Sequence, residues 1–287
     1  MKIKPVRSVL RTLFLYIGVL GLLVGLLLLS VWRSVRQQKL DRALITAVNY
    51  TNAKSVFELL DSGANPDACD TPEQKFSLMR ELKNLLERKL TPKYAGSPAL
   101  ILAIAGAPSP YEDRAGYARA VLIVKALLDH GARVDIQGES HDDIIQVAVL
   151  SDHDQQILRL LLQPHANGSH ASVNLVSPLN GRTPLMTASA WGDDETINLL
   201  CGAGANVDFQ AADGRTALMY AVATGRPENI ACLLANHANV RLKDNEGQTA
   251  LLMARSCLAN KTVTGFNHEA GAFWPYIVRL LEKANRK

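Results

Sequence analysis

Apolar and polar positions divide the chain into two regions with different patterns. Residues 12–32 form an apolar run without a charged residue, between Arg11 and Arg33. At 1.5 Å per residue, a helix over this run is about 30 Å long, which is the thickness of the hydrocarbon core of a bilayer. We therefore predict a transmembrane anchor over 12–32, with a basic tail (1–11) before it and a short linker (33–40) after it.

The run is more typical of an uncleaved anchor than of a signal peptide, because it is long and lacks a small-residue cleavage site. The short, densely basic tail favours the inner side of the membrane, and long C-terminal domains cross largely regardless of charge. We expect a single-pass protein of the bacterial inner membrane, with residues 41–287 in the periplasm. Gly21 and Gly25 form a GxxxG pattern, which fits either an anchor-mediated homodimer or glycines that merely tolerate lipid.

Beyond the anchor, the dominant pattern is a spacing of 33 residues. It appears in four series of positions: Gly181, Gly214 and Gly247; Thr183, Thr216 and Thr249; Leu185, Leu218 and Leu251; and Ala188, Ala221 and Ala254. A repeated unit of this size does not bury its own apolar face, so it must stack on copies of itself. The spacing predicts an elongated solenoid, a fold that favours binding over catalysis.

One unit carries the most complete pattern. It opens with Asn180-Gly181-Arg182-Thr183-Pro184-Leu185, continues through Ile197-Asn198-Leu199-Leu200, and closes with Gly204-Ala205-Asn206-Val207-Asp208. This pattern resembles the ankyrin repeat. The resemblance implies an all-α ankyrin-repeat solenoid of about six helix-turn-helix repeats, preceded by one N-terminal transmembrane helix.

Aligned on this resemblance, the domain 41–287 divides into six repeats and four inserts. The repeats are about 41–70, 97–137, 138–174, 179–210, 212–243 and 245–284. The inserts are about 71–96, 107–116, 168–174 and 259–273. The first insert has an apolar helical stripe with a basic opposite side, so we expect it to contact either a protein or anionic lipid.

The repeated residues have local roles that elementary stereochemistry explains. Thr183 followed by Pro184 predicts a helix that Thr caps and Pro begins. The alanine series lets paired helices approach closely. Glycines after the second helices predict left-handed C-caps, and His165 and His237 occupy the matching place in two units, where histidine is tolerated better than most residues.

Catalytic chemistry has no positive signal. The chain lacks nucleophile-elbow, P-loop, GxGxxG and HExxH patterns, and its four cysteines form no CxxC pair. The net charge of +4 comes largely from residues flanking the apolar run, which argues against a nucleic-acid partner. We expect no cofactor and no metal, although the His141-Asp142-Asp143 and Asp152-His153-Asp154 stretches leave a metal-dependent enzyme as a lesser alternative.

The resemblance implies a membrane-tethered protein–protein interaction module, acting as an adaptor, a scaffold or a sequestering inhibitor. The alternative is an immunity or accessory protein specific for one exported enzyme. Finger turns and first-helix faces form the recognition surface of such stacks, and aromatic residues dominate interface energetics. Carried over by position, the candidate partner-binding residues are Trp191, Phe209, Tyr220, Gln210, Ile136, Leu242 and Lys243.

Overall fold

The computed structural model describes residues 6–70, 97–135, 143–151, 155–164, 171–178, 180–191, 193–260 and 270–286. The side chains of residues 6–17, 19, 20, 23, 27, 260 and 270–272 are outside this description. The inserts 71–96 and most of 259–273 therefore lie outside the described residues, as do His165 and Ile136. So do His141, Asp142, Asp152, His153 and Asp154.

Within these ranges the chain is all-helical. The helices are α1 (Val6–Asn49), α2 (Ala53–Asp61), α3 (Ala99–Ala105), α4 (Arg114–Asp129), α5 (Ile144–Ser151), α6 (Gln156–Leu161), α7 (Pro184–Trp191), α8 (Asp194–Gly202), α9 (Ala217–Ala223), α10 (Pro227–Ala235), α11 (Ala250–Asn260) and α12 (Ala270–Asn285). The described residues contain no β-strand, and one isolated antiparallel bridge joins Cys69 and Pro98.

The helices stack in two layers, as the 33-residue spacing predicts. The C-terminal part of α1 packs on α3, and α3, α5, α7, α9 and α11 follow as one layer of first helices. The second helices form the other layer, in which α2 packs on α4 and α10 packs on both α8 and α12. Each first helix also packs against the second helix of its own repeat. The prediction of a helical solenoid is confirmed.

The core lies between the two layers and is built from the repeated columns. Every member of the alanine column is buried: Ala47, Ala103, Ala148, Ala188, Ala221 and Ala254. The small side chain lets the first helix lie close to its neighbours. Leucines and isoleucines of the second helices, such as Leu127, Leu200 and Leu233, fill the space between repeats.

The helix ends have the predicted caps. The Oγ1 of Thr183 accepts a hydrogen bond from the Met186 N–H at 3.4 Å, and Thr216 caps α9 in the same way at 3.4 Å from the Met219 N–H. After the second helices the backbone enters the left-handed region, with φ of +89° at Gly204 and +65° at His237. The prediction that a histidine replaces the usual glycine there is confirmed for His237.

The linker 33–40 is helical, because α1 continues without a break into the first repeat. Two contacts hold its end against that repeat. The Nε2 of Gln37 donates to the carbonyl oxygen of Gly63 at 3.1 Å and to Asp41 at 2.8 Å, and Leu40 packs on the core. The linker therefore joins the first repeat as a continuous helix and not as a flexible connection.

The predicted anchor, residues 12–32, lies within α1. Among the residues that the structure describes, no helix combines the length and the hydropathy needed to cross a membrane. About half of the side chains of the anchor are outside that description, so its membrane-spanning role stays a prediction. Gly21 and Gly25 have open space where a Cβ would lie, and their pairing with a second anchor also stays a prediction.

Candidate functional site

The best-defined surface is formed by two finger turns, which connect α8 to α9 (203–216) and α10 to α11 (236–249). Several hydrogen bonds join them directly. The amide Nε2 of Gln210 donates to the Gly214 carbonyl at 2.7 Å in its own finger and to the Lys243 carbonyl at 2.8 Å in the next. Asn245 returns two bonds, from its N–H to the Asp213 carbonyl at 3.1 Å and from its Nδ2 to the Ala212 carbonyl at 2.9 Å. The two fingers therefore form one rigid unit.

A second set of bonds lies along the bases of the fingers, one within the first repeat and three between neighbouring repeats. Asp41 accepts the backbone N–H of Asn65, and Asp67 accepts that of Arg133, each at 2.8 Å. Asn174 does the same for Asn206 at 2.7 Å, and Asp208 for Asn239 at 2.8 Å. We call these four contacts the Asx ladder. Three of these contacts tie a carboxylate or amide to the next repeat, and the Asp41 contact ties α1 to the turn of its own repeat, so the ladder sets the spacing of the fingers.

A charged and aromatic cluster lies where the fingers meet the first helices. The Cζ of Arg182 lies 4.3 Å from the centroid of the Tyr220 ring, and the Tyr220 hydroxyl donates to Asp213 at 3.2 Å. Burial raises the pKa of Tyr220, and the nearby Arg182 opposes that rise. Tyr220 is thereby held as a neutral hydrogen-bond donor, with a cation on its ring face.

Arg215 extends this cluster toward the next repeat. Its Nε lies 3.8 Å from Asp213 and 3.7 Å from Asp244. The Asp244 side chain is buried and accepts the N–H groups of Glu246 and Gln248 at 3.0 and 2.8 Å. Arg182 and Arg215 are both half-buried, so this cluster offers two oriented cations at the surface. Arginine at such a place suits recognition of carboxylates and aromatic rings.

The predicted partner-binding residues have unequal access to this surface. Trp191, at the end of α7, is 47% exposed, and both Gln210 and Lys243 are exposed on their fingers. Phe209 and Leu242 are half-buried at the finger bases. Tyr220 is only 6% exposed, so a partner would meet it mainly through Arg182. These assignments stay predictions.

Four residues of this surface are absent from the sequence-based selection: Arg182, Asp213, Arg215 and Asp244. A signal for two of them exists, because Arg182 and Arg215 stand 33 apart and each follows a repeated glycine. Tyr50 is another exposed aromatic residue, at 79%, and it follows Ala47 by three positions as Trp191 follows Ala188. The first repeat is too divergent in sequence for that match to stand out.

Metal and catalytic chemistry gain no site in the described ranges. No group of three His, Cys, Asp or Glu side chains comes together there as a metal-binding set. The acidic-histidine stretches of the third repeat are represented only by Asp143, which is buried at the start of α5. Burial raises the pKa of Asp143 to about 6, against the N–H groups of Ile144 and Ile145, which lower it.

Two sequence matches decide the family. A family model for ankyrin repeats (3 copies) matches residues 115–211 and 192–264, which together make up just over half of the chain. The chain belongs to the ankyrin-repeat family. Ankyrin-repeat proteins are generally interaction modules and not enzymes, so the finger turns and the first helices form the candidate functional surface.

Solved ankyrin-repeat structures share the fold over most of the chain. The crystal structure of EF0377, an ankyrin repeat protein, matches with a TM-score of 0.59 at 22% identity, covering 84% of this chain and 96% of that one. An ankyrin repeat domain from Acinetobacter baumannii AYE matches with a TM-score of 0.58 at 22% identity, covering 84% and 97%. At this identity the similarity concerns the fold alone. Among curated proteins, none matches the sequence significantly.

Proposed function

We propose that this chain is a membrane-tethered protein-interaction module, which holds a partner protein on its fingers and first-helix face. It acts as an adaptor, a scaffold or a sequestering inhibitor, without a covalent step. The observation that carries the proposal is the rigid pair of fingers that Gln210 and Asn245 bond together. A surface fixed before binding loses little conformational entropy when the partner arrives.

The chemistry of the surface suits protein recognition. Trp191 supplies a large, half-exposed aromatic ring, and Arg182 and Arg215 supply oriented cations. Tryptophan, tyrosine and arginine are the residue types that most often dominate binding energy at protein interfaces. The Asx ladder keeps these groups at fixed separations, so selectivity would come from matching their spacing.

The tether is supported by the sequence of residues 12–32 and by the surface of α1. Its described side chains include exposed Leu22, Leu26 and Leu28 on a stretch without charge. Such a continuous apolar surface requires cover by lipid or protein. We propose that lipid covers it, that the repeats lie on the periplasmic side of a bacterial inner membrane, and that the anchor raises the local concentration of the partner.

Site-specific photo-cross-linking tests the binding surface. A benzophenone amino acid is placed at Trp191 or at Gln210, with the exposed Leu122 of the second-helix layer as the matched control position. We expect the same partner bands from positions 191 and 210 and none from 122. Cross-links that arise only from position 122 would contradict the proposed surface.

Fractionation tests the tether separately. The full chain should stay with membranes after alkaline carbonate extraction, and a chain with Leu22 and Leu26 both changed to Glu should be released. Protease treatment of spheroplasts should degrade the repeats if they are periplasmic. Protection of the repeats in spheroplasts, followed by degradation after lysis, would show the opposite orientation.

A further inference from the structure

A groove lies between the last two second helices, beside the base of the second finger turn. The C-terminal ends of α10 and α12 and the turn 237–241 enclose a groove of about 560 Å³. Its floor is apolar and consists of Leu234, Val240 and Leu280 with small alanines between them. We call this surface the α10–α12 groove.

The rim of this groove is cationic. Arg241 and Lys283 stand on it from the turn and from α12, and His237 lies beside them. Arg241 is exceptional in the sequence, because the matching turns place Asp67, Asp135 and Asp208 two residues after the turn asparagine or arginine. Where Asp67 and Asp208 accept the next N–H of the Asx ladder, this turn presents a guanidinium group.

In the described part of the chain, Arg241 and Lys283 form few interactions with other side chains or with the backbone. Arg241 donates from Nη2 to the Asn285 carbonyl at 3.4 Å, and its guanidinium has further donors available. The nearest acidic residue in sequence to Lys283 is Glu282, which instead pairs with Arg255 at 2.6 Å. Among the described residues, neither Arg241 nor Lys283 forms an ion pair with a carboxylate.

We propose that the α10–α12 groove binds an acidic amphipathic segment of a partner protein. An aliphatic or aromatic side chain of the segment fills the apolar floor, and flanking Asp or Glu carboxylates pair with Arg241 and Lys283. The volume suits one or two large side chains, and an arginine-carboxylate pair at a half-open rim is directional and loses little hydration. This proposal rests on the protein-binding function above and adds a second, separate contact to it.

Selection of peptides tests the groove with a defined probe. Random dodecapeptides displayed on phage are selected against the full chain in nanodiscs of zwitterionic lipid. We expect the enriched peptides to carry Asp or Glu beside Leu, Ile or Phe, and to bind the R241D/K283E variant at least tenfold more weakly. R241D restores the residue type of the matching turns, so this change preserves the fold, and circular dichroism verifies it.

Two control variants separate the groove from the proposed partner-binding surface around Trp191. K125E changes an exposed lysine of α4 and should leave peptide binding unchanged, and W191A should also leave it unchanged. Selected peptides without acidic residues, or equal binding to R241D/K283E, would overturn the groove proposal. Loss of peptide binding in W191A would place the peptide site on the first-helix face, which overturns the groove proposal but leaves the proposed function standing. Absence of photo-cross-links from positions 191 and 210 would instead contradict the proposed function, independently of the peptide-binding result.

Discussion

The guanidinium group of Arg182, in one repeat, lies over the ring of Tyr220 in the next, with Cζ 4.3 Å from the ring centroid. Arg182 lies just before α7 and Tyr220 lies in α9, so their contact is part of the interface between repeats. The Tyr220 hydroxyl adds a hydrogen bond to Asp213 at 3.2 Å. At this point of the stack, the residues proposed for recognition therefore also stabilise the interface between repeats.

Replacing Tyr220 by Phe separates the hydroxyl from the ring. We expect Y220F to lower the free energy of unfolding by about 1 kcal/mol, because the bond to Asp213 is lost while the ring stays packed. Urea unfolding of the full chain in detergent measures this change. The matched control is Y276F on the exposed Tyr276, which should have no effect. Equal losses in both variants would mean that the hydroxyl of Tyr220 adds nothing specific.

The Asx ladder predicts a difference between two changes at Asp208. D208A leaves the Asn239 N–H without its 2.8 Å acceptor and should cost about 1–2 kcal/mol of stability. D208N keeps an acceptor oxygen, as Asn174 does in the preceding contact, and should stay within about 0.5 kcal/mol of the unmodified chain. Hydrogen exchange at Asn239 checks the cause, because its amide should exchange faster only in D208A.

The left-handed turn at His237 predicts a stabilising substitution. Its φ of +65° is strained for a residue with a Cβ, so H237G should raise stability by up to about 1 kcal/mol. The reciprocal change, G204A, should lower it by a similar amount, since Gly204 has φ of +89° and a Cβ there meets no neighbour within 4 Å. Thermal unfolding of the two variants compares them directly, and shifts of the same sign would refute the backbone explanation.

Asp143 predicts a dependence of stability on pH. Its carboxylate is buried, and its pKa is raised to about 6 from 3.8 because desolvation outweighs the nearby N–H groups of Ile144 and Ile145. The folded state therefore holds the proton more strongly than the unfolded state. The resulting destabilisation is fully present above about pH 6 and disappears as the pH falls through 6 toward 4, with a magnitude of about 3 kcal/mol.

The D143N variant isolates this effect. It should be more stable than the unmodified chain at pH 7.5 and equal to it near pH 4, because the neutral amide matches the protonated acid in size. Denaturant unfolding at the two pH values gives the difference. D193N at the exposed cap of α8 serves as the control, and we expect no comparable gain there at pH 7.5. A benefit of D143N that does not vary with pH would exclude titration of Asp143 as its source.

The sequence predicted the parts of the fold that repeat. Ala188 and its partners at a spacing of 33 are buried, and Thr183 and Thr216 cap the helices they precede. These features depend on contacts within one repeat or between identical positions of neighbours, so a regular spacing reveals them. The replacement of a glycine by His237 was predictable for the same reason.

The site was harder to predict because it depends on contacts between different positions. Arg182 meets Tyr220 across an offset of 38 residues, which no series of equivalent positions displays. The sequence predicts Gln210 as a partner contact, but its amide also bonds two fingers together, and this role depends on the position of the Lys243 carbonyl. The sequence alone does not show that Arg241 replaces a structural aspartate. The structure shows it, because Asp67 and Asp208 accept a backbone N–H of the next repeat in the matching turns.

The unbroken helix α1 fixes the rotational orientation of the stack about the axis of α1. Gln37 and Asp41 bond to Gly63 and Asn65 in the turn after α2, and α1 continues as the first helix of the first repeat, so rotation of α1 must carry all the repeats with it. One residue inserted between 33 and 36 would rotate the fingers by about 100° relative to the segment 12–32 and move them about 1.5 Å farther from it. Seven inserted residues would restore the original orientation to within about 20°. The number of residues between the predicted anchor and the first repeat therefore sets the direction in which the fingers face.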